Sequence, residues 1–163
     1  MTDRVKEAIY SALGDVDGLM ILDLYAGSGS LGLEALSRGA KKAIFVENAR
    51  DAIVKLEENI AACKLAKAAD VQWADVPSVL ERGSDDRMDL VFVDPPYTTS
   101  PDKVIADLER IVMHGWLSDE GRVVLHRPAK ERALHPFGLK RSWSRDYGQS
   151  NVSVFTHNDE EEG

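Results

Sequence analysis

The sequence predicts one doubly wound α/β domain closed by an antiparallel hairpin, on three observations. Its 163 residues fall within the usual single-domain range. Short apolar runs alternate along the chain with segments of helical periodicity. A glycine-rich string, Gly27-Ser28-Gly29-Ser30-Leu31-Gly32, directly follows the first apolar run.

Taken in order, Thr2 caps a first helix with Val5, Ile9 and Leu13 on one face, ended by residues 14–18. Leu19 to Leu24 is a dense apolar run too short for a helix and reads as a buried parallel strand. A helix over Leu31 to Ser37 stops near Gly39, and Ala43 to Val46 is the second strand. Ile53, Leu56, Ile60 and Cys63 recur at spacings of three and four, so residues 49–63 form an amphipathic helix. Val71 to Trp73 is a strand, Val76 to Leu80 a short helix and Asp89 to Val93 a fourth strand. Ser100-Pro101 supplies an N-cap and a first-turn proline for a helix through Met113. Arg122 to Leu125 is a fifth strand, and Leu139 to Trp143 with Val152 to Phe155 make the hairpin. The domain is expected over residues 1–157, with 158–163 a solvated acidic tail.

Composition excludes several classes. A single cysteine, Cys63, leaves no disulfide framework and no multi-cysteine zinc site, and the histidines lack metal-like spacing, so no metal is expected. No apolar run approaches the ~18 residues of a membrane span, and no signal segment opens the chain, so the expectation is a soluble, cytoplasmic monomer. Twenty basic against twenty-eight acidic residues give a net charge of −8, which argues against nucleic-acid binding. Four of those acids, however, sit in residues 159–162. Residues 127–147 hold six basic residues, Arg127, Lys130, Arg132, Lys140, Arg141 and Arg145, against two acidic ones, with Trp143 and Tyr147 interleaved. That stretch either tracks phosphates or is a solvated face of the last helix and hairpin.

The glycine string lies between a strand and a helix and matches a nucleotide-binding loop. Glu47, at the end of the next strand, is placed to hold a ribose diol. An NAD enzyme and an S-adenosylmethionine enzyme both fit so far. Asp23 discriminates, because a carboxylate beside the loop repels a pyrophosphate but suits the ammonium of a methionine moiety. Asp75, after the third strand, either accepts from an adenine amino group or caps the following helix.

Asp94-Pro95-Pro96-Tyr97 ends the fourth strand, at the edge where open α/β sheets bind ligands. Two prolines stiffen the turn and remove two backbone donors, leaving carbonyls that only accept. The Asp94 carboxylate and the Pro95 carbonyl together cradle an amino group with two hydrogens to give. Such a cradle raises the nucleophilicity of an exocyclic base amine and stabilises positive charge developing on it. Tyr97 offers a flat face for a base drawn out of its stack.

These residues resemble a known family. Thr2-Asp3-Arg4-Val5-Lys6-Glu7-Ala8, the block from Leu22 through Ala40, Val93 to Tyr97 and the late Tyr147-Gly148 are similar to the bacterial 16S rRNA guanine-N2 methyltransferases of the RsmD family. The resemblance covers about residues 2–157. It implies a Rossmann-like class I methyltransferase fold with a mostly parallel seven-stranded sheet, S-adenosyl-L-methionine as donor, and N2 of a 16S rRNA guanine as acceptor, within a small-subunit assembly particle. Carried over by position, Asp94, Pro95, Pro96 and Tyr97 hold the target base. Asp23, Tyr25, Ala26, Gly27, Ser28, Gly29 and Glu47 hold the donor, with Asp75 near adenine. Arg4, Arg127, Arg141, Arg145 and Tyr147 are the candidate RNA contacts. Family members usually carry a basic segment ahead of the Thr2-Asp3-Arg4-Val5 stretch on which this chain opens, so weak binding of naked RNA is expected.

Three rivals remain on the sequence. A DNA adenine-N6 methyltransferase shares the Asp-Pro-Pro-Tyr tetrad but normally needs a target-recognition domain. A non-catalytic S-adenosylmethionine-binding module, or an NAD oxidoreductase, would use the glycine loop alone.

Overall fold

A computed structural model describes residues 1–159. The strands are β1 (Met20–Leu24), β2 (Lys42–Glu47), β3 (Ala69–Trp73), β4 (Met88–Val93), β5 (Leu117–Pro128), β6 (Leu139–Tyr147) and β7 (Ser150–His157). The helices are α1 (Asp3–Leu13), α2 (Ser30–Ser37), α3 (Arg50–Ala62), α4 (Val76–Arg82) and α5 (Pro101–Met113). One sheet contains all seven strands in the order β3-β2-β1-β4-β5-β7-β6. The first five are parallel, and β7 runs antiparallel between β5 and β6.

α1 and α5 start on local chemistry. Thr2 accepts the Val5 N–H at the start of α1, and Ser100 accepts that of Lys103 at the start of α5. Gly14 ends α1 at a φ of 74°, a conformation that costs glycine little.

Alternation along the strands sorts the core into two layers. Ile21, Phe45, Leu90, Phe92 and Val124 face α1, α2 and α3, whereas Leu22, Leu24, Val46, Val91 and Leu125 face α4 and α5. Burial on both faces is why the central strands read as continuous apolar runs rather than alternating ones.

β5 is much longer than the predicted Arg122–Leu125. Met88 pairs with Leu117 and Leu90 with Arg122, so the register shifts across Ser118 to Gly121. The polar residues of that irregularity, Asp119 and Glu120, hide the strand from an apolar pattern. β6 and β7 also extend beyond their apolar centres. The basic stretch carries no helix between β5 and β6, in contrast to the expected last helix. Of the predicted tail, residues 160–163 lie outside the described residues.

The strand order reverses between β1 and β4, which are hydrogen-bonded neighbours. Open α/β sheets bind ligands beyond the carboxyl ends of strands at such a switch point. The glycine loop leaves β1 there and the Asp94 turn leaves β4, so two segments about 70 residues apart in the chain meet in space.

Candidate active site

The loop after β1 is held from several sides. Ala26 N–H donates to the Val46 carbonyl, and Asn59 Nδ2 to the Ser28 carbonyl, at 3.0 Å each. Tyr25 adopts a left-handed φ of 59°, at a cost of order 1 kcal/mol for a residue with a side chain. Its hydroxyl donates to Asp107 on α5, which also accepts from Arg110, and this anchors the strained residue. Burial, helped by the bond to Asp107, pushes the Tyr25 hydroxyl pKa upward.

Two glycines are required by close approach. A Cβ on Gly29 would lie 2.3 Å from Leu56 Cδ1, and one on Gly32 would lie 2.4 Å from Phe45 Cε1. Gly27 lines the open side of the loop, where a Cβ would meet nothing within 4 Å.

Asp23 occupies a different place from the one expected. It is 1% exposed, and its Oδ2 accepts the Gly32 N–H at 3.0 Å from beneath the loop. The correction is physical: a carboxylate on the buried face of β1 braces the turn into α2 rather than meeting an ammonium at the cleft wall. Burial pushes its pKa well above the ordinary carboxylate range, while the Gly32 N–H pulls it partly back.

Glu47 stands where the sequence places it. Its two oxygens accept from Gly27 N at 2.9 Å and Ala49 N at 2.8 Å, and it lines the cleft. Each carboxylate oxygen keeps a lone pair for a further donor, which suits a diol. Asp75 is the helix cap of its two readings. It accepts the N–H and hydroxyl of Ser78 at the start of α4, and these bonds lower its pKa.

Across the switch point, Asp94 Oδ1 lies 2.8 Å from His126 Nδ1. The Pro96 carbonyl accepts from Thr99 N–H at 2.9 Å and from Arg127 at 3.4 Å. The Pro95 carbonyl has no donor on it among the described residues. Tyr97 is 48% exposed, and its hydroxyl meets His126 Nε2 at 3.3 Å and Ser150 Oγ at 3.1 Å.

Gly27, Glu47, Asp94, Pro95, Tyr97 and His126 line one open cleft with a cavity volume of about 590 Å³. Ligand pockets usually measure about 300–1,000 Å³, so the cleft is of the size that takes a nucleoside-sized ligand. The loop residues also fit a donor with a ribose and no pyrophosphate, since Glu47 sets a carboxylate at the cleft wall beside the loop.

The candidate RNA contacts divide. Arg127 is 3% exposed, with Nε 2.8 Å and Nη2 2.6 Å from the two oxygens of Glu131 and Nη2 2.9 Å from the Thr99 carbonyl. Its donors are committed to holding the Asp94-to-Thr99 turn, so it is no phosphate contact. Arg141 packs over Phe155 and donates to Ser153 Oγ and the Leu134 carbonyl, and burial lowers its pKa. Trp143 and Tyr147 pack against the core. Arg145 is exposed and lies over the Tyr147 ring at 5.4 Å, while Lys130 and Arg132 are exposed on the loop after β5. Arg4 is exposed on the first turn of α1, beside Thr2 at the cleft wall.

Sequence reasoning set aside His126 for want of metal-like spacing, and it missed Ser150. Only one signal pointed to His126: it directly follows the apolar run of β5, whose Leu125 pairs with Val93 just before the Asp94 turn.

The family model described as conserved hypothetical protein 95 matches residues 1–156. The YlbH protein of Bacillus subtilis is 34% identical over 158 residues, covering 94% of this chain and 85% of that protein. The Escherichia coli protein named ribosomal RNA small subunit methyltransferase D is 37% identical over 124 residues. That match covers 75% of this chain and 60% of the relative. A solved structure of a conserved hypothetical protein from Streptococcus pyogenes superposes with a TM-score of 0.87 at 29% identity, covering 94% of this chain and 96% of that one.

Proposed function

Because the chain belongs to the conserved hypothetical protein 95 family, the RsmD family, we propose that it is an S-adenosylmethionine-dependent methyltransferase acting on N2 of a guanine in small-subunit rRNA. One observation carries the reading: the glycine loop after β1 and the Asp94-Pro95-Pro96-Tyr97 turn after β4 line a single cleft across the switch point. A binding module has no need of the second, and an NAD enzyme has no use for its acceptors. The name of the Escherichia coli relative supports an rRNA substrate. The cradle suits any exocyclic base amine with two hydrogens, and the choice of guanine N2 rests on the resemblance to the RsmD family.

The donor's sulfonium supplies an electrophilic methyl group. Gly27 and Glu47, at the cleft wall, would hold the nucleoside end of the donor. Asp94 and the Pro95 carbonyl accept the two hydrogens of the base amine, favouring a tetrahedral nitrogen with its lone pair aimed at the methyl group. With the donor bound, attack by the amine would form the C–N bond at the expense of the S–C bond, and the nitrogen's proton would leave for Asp94 or water. Tyr97 keeps the base planar against its exposed face, and the adjoining groove past Ala129, Lys130 and Gln149 gives the flanking strand a path.

The test is transfer of a labelled methyl group to small-subunit particles and to free 16S rRNA from cells lacking this enzyme class, with mass mapping of the product. One methylated guanine, modified at N2, is expected. Label on adenine, on another guanine atom or on DNA alone would sink the assignment.

A further inference from the structure

Resting on the function proposed above, we propose that His126 is a positioning residue that locks the acceptor carboxylate of Asp94 to the stacking ring of Tyr97. His126 is buried at the cleft wall with both ring nitrogens taken, by Asp94 and Tyr97, so it acts through these two neighbours rather than on the reacting atoms. An ionised Asp94 only accepts, so the 2.8 Å contact requires the hydrogen on His126 Nδ1. A neutral ring then offers only a lone pair at Nε2, so the Tyr97 hydroxyl donates to it across 3.3 Å. The Tyr97 oxygen is left to accept from Ser150 Oγ at 3.1 Å. Donation therefore runs one way, from Ser150 to Tyr97 to His126 to Asp94.

Two consequences follow for the reaction. Asp94 Oδ1 is occupied, so the free capacity of the carboxylate lies on the other oxygen. Tyr97 is held at its hydroxyl tip, with the ring tilted 48° to the imidazole at a centroid distance of 5.6 Å, and its face stays open. Acceptor and platform thus keep a fixed relation, as an in-line attack on a methyl group demands. The arrangement inverts the usual triad, because here the carboxylate does the chemistry and the imidazole orients it.

Two substitutions separate the two ring nitrogens. His126→Asn keeps an amide donor near the Nδ1 position, and His126→Gln puts one near Nε2. With melting temperature and donor affinity near wild type, H126Q should lose about ten- to hundredfold in kcat, the effect of removing a hydrogen bond to a charged group. H126N should recover most of that kcat while KM for RNA rises, because Tyr97 is released. Equal kcat for H126Q and wild type, or equal losses in both variants, would overturn the proposal.

A readout independent of activity comes from nitrogen–proton correlation spectra of the imidazoles. His126, assigned by its loss in H126N, should be the Nδ1–H tautomer and should change in Asp94→Ala. The Nε2–H tautomer overturns the positioning role even in an active enzyme. An inactive wild type with the Nδ1–H tautomer overturns the assigned reaction instead.

Discussion

Removing the Arg127 side chain tests whether the basic stretch after β5 serves RNA or the fold. Arg127→Met keeps most of the aliphatic volume and deletes the guanidinium, which is bound at 2.6 and 2.8 Å to Glu131 and at 2.9 Å to the Thr99 carbonyl. The Arg127 and Glu131 side chains are 4% and 15% exposed, so Glu131 would be left as a poorly solvated charge. Breaking a buried pair on one side costs about 3–5 kcal/mol. For a domain of this size, 1 kcal/mol shifts the melting temperature by roughly 2–4 °C, so a fall of about 6–20 °C is expected. Arg127→Met with Glu131→Leu removes both charges and should regain most of the loss.

Denaturant melts of the three proteins measure the stability term. Filter binding of RNA over a range of salt measures the electrostatic one. A phosphate contact contributes a slope of about −0.9 in log affinity against log salt for duplex nucleic acid and about −0.7 for single strands. The structure predicts an unchanged slope, measured well below the variant's melting temperature. A variant as stable as wild type whose slope falls by nearly one would refute the clamp.

Other outcomes follow from the same geometry. Asp94→Ala should abolish methyl transfer to rRNA while calorimetry shows donor affinity within a few-fold of wild type; activity surviving within a few-fold contradicts the acceptor role. Gly32→Ala drives a methyl group to 2.4 Å from the buried Phe45 ring, so it should cost about 1–3 kcal/mol in urea denaturation and weaken donor binding. Asp23 gives a pH dependence of definite sign. Its folded pKa is raised by burial, so the folded state holds a proton that the unfolded state releases, and stability falls as pH rises from the ordinary carboxylate pKa through the folded one. Asp23→Asn can still accept from Gly32 and should flatten that fall in melts from pH 4 to 7; identical slopes would exclude Asp23 as its source.

The boundary between what was readable and what was not follows sequence separation. Thr2 and Ser100 act on residues three positions away, and the glycines and prolines dictate their own backbone. Such features survive in a linear string. β5 was readable only at its apolar centre, because a register shift places polar residues inside the strand. Asp75 and Asp23 show a subtler limit. Both are acids at nucleotide-site positions, yet one caps a helix and the other lies under the loop. Which of these an acid does depends on the face it presents, and residue type does not record that.

The sequence by itself determined the doubly wound sheet, the glycine loop after the first strand and the Asp-Pro-Pro-Tyr turn after the fourth. Burial periodicity and backbone constraint are local properties, and the strand ends they define fix where ligands bind. Only the tertiary structure decided how the acceptor site is held. His126 reaches Asp94 and Tyr97 across 32 and 29 residues, and Arg127 reaches Thr99 across 28. No local pattern marks a histidine or an arginine at the end of a strand as anything but surface. Parallel pairing of β4 with β5 sets that strand end beside the turn after β4, where a buried polar group must find partners and the turn supplies them.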